Sequence, residues 1–139
     1  MQQWFVLFSM LACGATFAAS PNLLENGGFD FYSGRDAKVE AWQISDLSKT
    51  TGAADTSVFH VSAASLKLSV NDTAPVTWYS ATQNVQPLTP RATYTISAWV
   101  RTDHVRDGAG AYLSLNFFDS HGKRLSHVDS PAKATGTGD

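Results

Sequence analysis

From Pro21 onward no stretch of ten or more residues repeats apolar side chains at helical spacing between capping residues. A chain without that period cannot build its core from helices, because a helix buries itself through one continuous apolar stripe. The sequence offers short runs rich in Val, Ile, Thr, Tyr and Phe, broken by Gly, Pro, Asn and Asp. β-Branched and aromatic residues suit a pleated surface and the breakers suit turns, so the pattern predicts an all-β domain. Candidate strands are 22–24, 41–45, 57–61, 65–70, 76–85, 93–101 and 111–118. Loops are expected at Gly27-Gly28, 33–36, 51–54, 71–75, 87–90, 103–110 and 119–123.

The clearest strand is 93–101, where Tyr94, Ile96, Ala98 and Val100 alternate with Thr95, Ser97, Trp99 and Arg101. A period of two sends the first set to a core and the second to solvent. Residues 111–118 repeat the pattern, with Ala111, Leu113, Leu115 and Phe117 inward and Tyr112, Ser114, Asn116 and Phe118 outward. In 76–85, an inward Val85 turns Trp78, Ser80, Thr82 and Asn84 outward. The outward faces therefore carry aromatics, Trp78, Trp99, Tyr112 and Phe118, where plain polar cover would suffice. Trp42 is assigned to the core.

The chain of 139 residues suits one domain, and its formal net charge of −2 gives no basic face for nucleic acid and no polybasic segment for an anionic membrane. No charged residue precedes Glu25. Residues 4–12 are apolar except for Ser9 and lead into small residues ending Ala18-Ala19-Ser20. This is the pattern of a signal peptide over residues 1–19, too short to cross a bilayer, with cleavage after Ala18 or Ala19 and a secreted or periplasmic product. It departs from the pattern in having no Lys or Arg in Met1-Gln2-Gln3, and the alternative is an N-terminal anchor helix. Cys13 is the only cysteine, and Met10-Leu11-Ala12-Cys13 is a poor acylation box. Its removal with the leader would exclude disulfides, thiol catalysis and Cys-ligated zinc. Asn71-Asp72-Thr73 fits an N-glycosylation acceptor, relevant only in a eukaryote. At the other end, Lys133-Ala134-Thr135-Gly136-Thr137-Gly138-Asp139 reads as a loop with no closing strand, so the domain over 21–139 is expected to be cut short of its last strands.

Several segments, in order, are similar to one family. Asn22-Leu23-Leu24-Glu25-Asn26-Gly27-Gly28-Phe29-Asp30 resembles the opening motif of the jelly-roll carbohydrate-binding modules attached to xylanases and glucanases, with Trp42 downstream. Ser65-Leu66-Lys67-Leu68 looks like the next strand of that family. Gln83-Asn84-Val85-Gln86-Pro87-Leu88, followed by Thr93-Tyr94-Thr95-Ile96-Ser97-Ala98-Trp99-Val100-Arg101, resembles its most recognisable stretch. Phe117-Phe118-Asp119-Ser120-His121-Gly122-Lys123 and the approach at 135–139 also fit. The resemblance covers nearly everything after residue 21. It implies a β-sandwich of galactose-binding-like jelly-roll type that binds a polysaccharide or oligosaccharide, of β-glucan or xylan type, beside an appended or partner glycoside hydrolase.

It also implies where the sugar sits. Trp78 falls at a ligand-stacking aromatic of related modules, Phe118 at a second, and Lys123 at a nearby basic residue. Tyr79, Gln83, Trp99, Tyr112 and Asn116 are the further candidates by face and neighbourhood. Flat apolar rings suit the C–H faces of a pyranose, while amides and charged tips suit its hydroxyls. A structural calcium is implied near Asp30, through its carboxylate, and Gly28, through a backbone carbonyl. The usual acid before Ser65-Leu66 is replaced by Ser62-Ala63-Ala64.

No catalytic constellation stands out. His60, His104, His121 and His127 match no zinc spacing, and Asp119-Ser120-His121 places an acid, a hydroxyl and an imidazole next to one another on a turn rather than in a triad. There is no Gly-x-Ser-x-Gly elbow and no Gly-rich phosphate loop. The expectation is a noncatalytic binding module; the alternatives are a structural or adhesive domain that binds protein and the N-terminal part of a secreted glycoside hydrolase.

Overall fold

The computed structural model describes residues 2–7 and 22–138. The expected cleavage points at Ala18 and Ala19, and Cys13, lie outside the described residues. Among those described there is no helix, and every ladder is antiparallel. The strands are β1 (Gln2–Leu7), β2 (Tyr32–Ser33), β3 (Lys38–Val39), β4 (Gln43–Ile44), β5 (Thr50–Asp55), β6 (Ser65–Val70), β7 (Ala81–Thr82), β8 (Trp99–Val105), β9 (Ser114–Phe118), β10 (Arg124–Asp129) and β11 (Gly136–Gly138). One five-stranded sheet has the order β11-β8-β1-β6-β5, and β10-β9, β2-β3 and β4-β7 form separate pairs. The chain is therefore all-β, as the absence of helical period predicts.

The most buried of the strands from β2 to β11 is β6. Leu66, Leu68 and Val70 are buried on one face while Lys67 and Ser69 are half-buried on the other, the period-two pattern of a strand covered mainly on one side. Phe29, Val39 and Leu66 form the core cluster, with Trp42, Ile44, Ala54 and Ala81 packed against it. Phe29 sits in a left-handed backbone conformation (φ 61°) that costs a bulky residue about 1–2 kcal/mol. Full burial of its ring, which meets Trp42 at 5.3 Å between centroids, offsets that cost.

The opening motif forms no strand at 22–24; its polar side chains tie the loop to the core. Asn26 Nδ2 donates to the carbonyls of Phe31 (2.8 Å) and Glu40 (3.0 Å), its Oδ1 accepts from Phe31 N–H (3.0 Å), and its carbonyl accepts from Trp42 Nε1 (3.2 Å). These bonds give partners to the Trp42 indole N–H, the Phe31 N–H and the Glu40 carbonyl, and a second donor to the Phe31 carbonyl, which also accepts from Glu40 N–H (3.0 Å).

Other boundaries move as well. The expected loop 51–54 is part of β5, although Gly52-Ala53-Ala54 has weak strand propensity. Pairing with the buried β6 overrides it, and Gly52 is needed there because a Cβ would lie 2.5 Å from Ile44 Cδ1. The terminal segment expected to be an unpaired loop contains β11, which pairs with β8 at Gly136↔Val105 and Gly138↔Thr102. Segment 57–61 forms bends, 76–85 contributes only β7, and 93–98 stays outside any ladder. Even so, Tyr94, Ile96 and Ala98 are half-buried while Thr95 and Ser97 are exposed, so the alternation holds without a partner strand. The span read as an export leader begins with β1, the middle strand of the large sheet and not a helix.

Candidate binding surface

Of the four aromatics read as outward, Trp78, Trp99 and Phe118 are exposed, whereas Tyr112 is half-buried like its neighbour Leu113, because 111–113 lies before β9 and outside any ladder but the bridge at Ala111. Trp78 is 79% exposed, and Phe118 and Trp99 are each 54% exposed. In β9, Ser114, Asn116 and Phe118 are exposed and Leu115 and Phe117 half-buried, while Ala111, just before it, is buried against Ala134 through a two-residue bridge. The strand pairings do not gather these residues onto one sheet. Trp78 precedes β7, which pairs with β4; Trp99 opens β8 in the large sheet; Tyr112 and Phe118 flank and close β9, which pairs with β10.

The polar candidates differ in how far they are already engaged. Gln83 Oε1 accepts from Glu25 N–H (2.8 Å), and its Nε2 donates to the carbonyls of Glu25 (2.9 Å) and Ala41 (3.1 Å). Both ends of the amide thus tie the opening loop at Glu25 to Ala41 before β4, a structural duty that the sequence does not reveal. Tyr79 donates its hydroxyl to Pro75 O (3.0 Å). Asn116 Nδ2 donates to Ser114 Oγ (3.1 Å) and its Oδ1 accepts from Arg124 Nη1 (3.4 Å), both on the exposed face of the hairpin. Lys133 Nζ lies 4.7 Å over the Tyr112 ring, a cation–π contact. His60 stacks on Trp99 at 4.2 Å and 15°, which covers one face of the indole.

Lys123 closes the β9–β10 turn next to Phe118. Asp119 Oδ1 accepts from the N–H groups of His121 and Lys123, both at 2.9 Å. The Asp119 carboxylate thus caps the turn, and the adjacent Ser120 hydroxyl and His121 Nδ1 approach only to 3.4 Å. That arrangement gives the imidazole no carboxylate to orient it.

Around Asp30 the structure brings the two residues of the implied calcium site together with Ser62. Asp30 Oδ1 accepts from Ala63 N–H (3.1 Å). A Cβ at Gly28 would lie 2.7 Å from Asp30 Oδ2 and 2.9 Å from Ser62 Oγ, so the glycine leaves open a small space flanked by two hard oxygens. Calcium takes six to eight oxygens, and no group of three His, Cys, Asp or Glu side chains converges among the described residues. The donor set is partial, and one carboxylate oxygen already holds the loop before β6.

A feature that strand alternation misses is an open groove of ≈ 380 Å³ lined by Ser33, Lys38, Glu40, Trp42 and Gln43 among others. Trp42 is half-buried rather than wholly core: it packs on Phe29 and also lines this groove. The signal lies in the neighbours of Trp42, where Lys38, Glu40 and Gln43 put a cation, an acid and an amide within five residues of an indole. No described helix is long and apolar enough to cross a membrane. Compared with models of known protein families, with curated proteins and with solved structures, the chain matches none.

Proposed function

We propose that this chain is a noncatalytic carbohydrate-binding module, a jelly-roll β-sandwich exported from the cell. It holds a polysaccharide of β-glucan or xylan type and keeps an appended or partner glycoside hydrolase near that substrate, raising its local concentration as any tethered binder does. The observation that carries this reading is the exposure of Trp78 and Phe118, two large flat rings open to solvent. Aromatic faces in water, with the amide of Asn116 and the ammonium of Lys123 near one of them in sequence, supply both kinds of contact a pyranose needs. Calcium at Asp30 and Gly28 belongs to the same proposal; with two side-chain oxygens available, water would complete its shell.

Affinity electrophoresis in gels containing β-glucan or xylan tests the site. Trp78→Ala and Phe118→Ala are each expected to weaken glycan retardation at least about tenfold, ~1.4 kcal/mol, without changing the unfolding midpoint. Unchanged retardation in both variants would remove this surface from consideration. If Lys38→Ala weakens binding instead, the sugar occupies the groove beside Trp42.

A second reading, a structural domain that binds protein, is favoured by one observation: Leu125 and Val128 of β10 are exposed by 64% and 61% on a hairpin with an open edge. Under that reading no glycan retards the chain.

A further inference from the structure

The middle strand of the large sheet comes from the segment read as an export leader. β1 lies between β6 and β8 and runs antiparallel to both, from Gln2↔Val70 to Val6↔Leu66 on one side and from Gln3↔Asp103 to Leu7↔Trp99 on the other. β6 and β8 are therefore parallel to each other and two strand spacings apart, about 9.5 Å, too far to bond directly. Cleavage after Ala18 or Ala19 would take β1 away. It would leave β5–β6 and β8–β11 as two-stranded ladders, which are marginal alone in water. The two facing edges would then present rows of unpaired N–H and C=O groups, a template for pairing with another chain. Their walls are the most buried part of the sheet, with Leu66, Leu68, Val70 and Thr102 nearly inaccessible.

We propose that the slot between β6 and β8 is a strand-acceptor site, filled in trans by an extended segment of a partner polypeptide once residues 1–19 are removed. Main-chain ladders on both sides would supply the affinity and the flanking side chains the selectivity, as in other strand-addition complexes. The register states which segment fits. The position of Trp4 stands opposite Leu68 and Thr102, and that of Val6 opposite Leu66 and Val100, so both take apolar residues. The position of Phe5 stands between Lys67 and Arg101, so it takes an aromatic or acidic residue and disfavours a basic one. The leader reading enters only as the event that empties the slot, and glycan binding plays no part in it.

The test uses the full chain with a protease site inserted between Ala19 and Ser20, folded intact and then cut. A fluorescent peptide with the sequence of Gln2–Leu7 is titrated against cut and uncut protein, and the urea midpoint of each mixture is measured. The peptide is expected to bind the cut chain by displacing fragment 1–19, to restore the midpoint of the uncut chain, and not to bind the uncut chain. Peptides carrying Trp4→Asp or Phe5→Lys are expected to bind at least tenfold more weakly. Failure of the cut chain to bind the parent peptide overturns the proposal, whether its midpoint falls or stays. Equal binding of the two variant peptides overturns the register argument and the acceptor site with it.

Discussion

Residues 22–70 and residues 76–138 each contain a short run of period-two alternation, at 66–70 and at 94–100, and reach different ends. The first region holds Phe29, Val39, Thr50, Ala64, Ser65, Leu66, Leu68 and Val70 as buried residues, whereas the second holds only Thr102, Val105 and Ala111. In the first, polar side chains are spent on the fold: Asn26 bonds Phe31 and Glu40, Thr50 donates to the carbonyls of Ser45 and Asp46, and Ser65 donates to Val58 O. In the second, β9 and β10 pair only with each other, and β10 is exposed along nearly its whole length. The contrast separates two uses of one pattern. Alternation that other segments cover makes a core, and alternation left uncovered presents an outward face.

The sharpest way to break that contrast is to remove one large side chain from each region. Phe29→Ala empties the centre of the core cluster and is expected to cost about 3–5 kcal/mol, read as a drop in the urea midpoint. Leu125→Ala in the open hairpin is expected to stay within about 0.5 kcal/mol. Comparable losses from the two would mean that the hairpin packs against the core in solution and that the two regions are one.

The next effect isolates the polar ties. Asn26→Asp keeps the shape of the side chain but loses the Nδ2 donations to Phe31 O and Glu40 O, and is expected to cost about 2 kcal/mol in thermal unfolding. Asn116→Asp removes an equivalent amide from the exposed hairpin, where water replaces the lost partner, and is expected to cost under about 0.5 kcal/mol. An Asn26→Asp variant as stable as the parent would show that the opening motif is not what fastens the loop.

These ties mark the boundary of what the sequence makes legible. β6 and the 119–123 turn are visible locally, because Leu66-Lys67-Leu68-Ser69-Val70 alternates without interruption and Asp119 with Gly122 supplies turn chemistry. β5 is not, because Gly52-Ala53-Ala54 becomes a strand only through the partner beside it and the Ile44 side chain that crosses it. β1 and β11 are hidden for the same reason: a ladder is a relation between distant segments, and neither Gln2–Leu7 nor Gly136–Gly138 carries it alone. For the candidate surface, the alternation places Trp78, Trp99 and Phe118 outward, whereas the duty of Gln83 depends on Glu25 and Ala41, far from it in the chain.

The smallest effect concerns pH and belongs to the well-packed region. Burial pushes the Asp55 carboxyl up, but the Ser57 hydroxyl, the N–H groups of Ser57 and Val58, and Lys67 at 3.8 Å together outweigh it and hold the group below its ordinary value of 3.8. A carboxyl with a lower pKa in the folded than in the unfolded chain contributes stability that is complete above the unfolded value. That contribution fades as pH falls through the folded one. Asp55→Asn is therefore expected to cost on the order of 1 kcal/mol or less at pH 7, with the gap to the parent constant down to about pH 5 and closing below about pH 4. Urea midpoints of both proteins from pH 7 to pH 3 measure it. Across the same range Asp119, whose carboxylate caps an exposed turn of the open hairpin, serves as the comparison through Asp119→Asn. A gap at Asp55 that persists unchanged at pH 3 would assign its role to geometry rather than charge. A larger acid-dependent gap at Asp119 would place the ionic contribution in the hairpin and invert the contrast between the two regions.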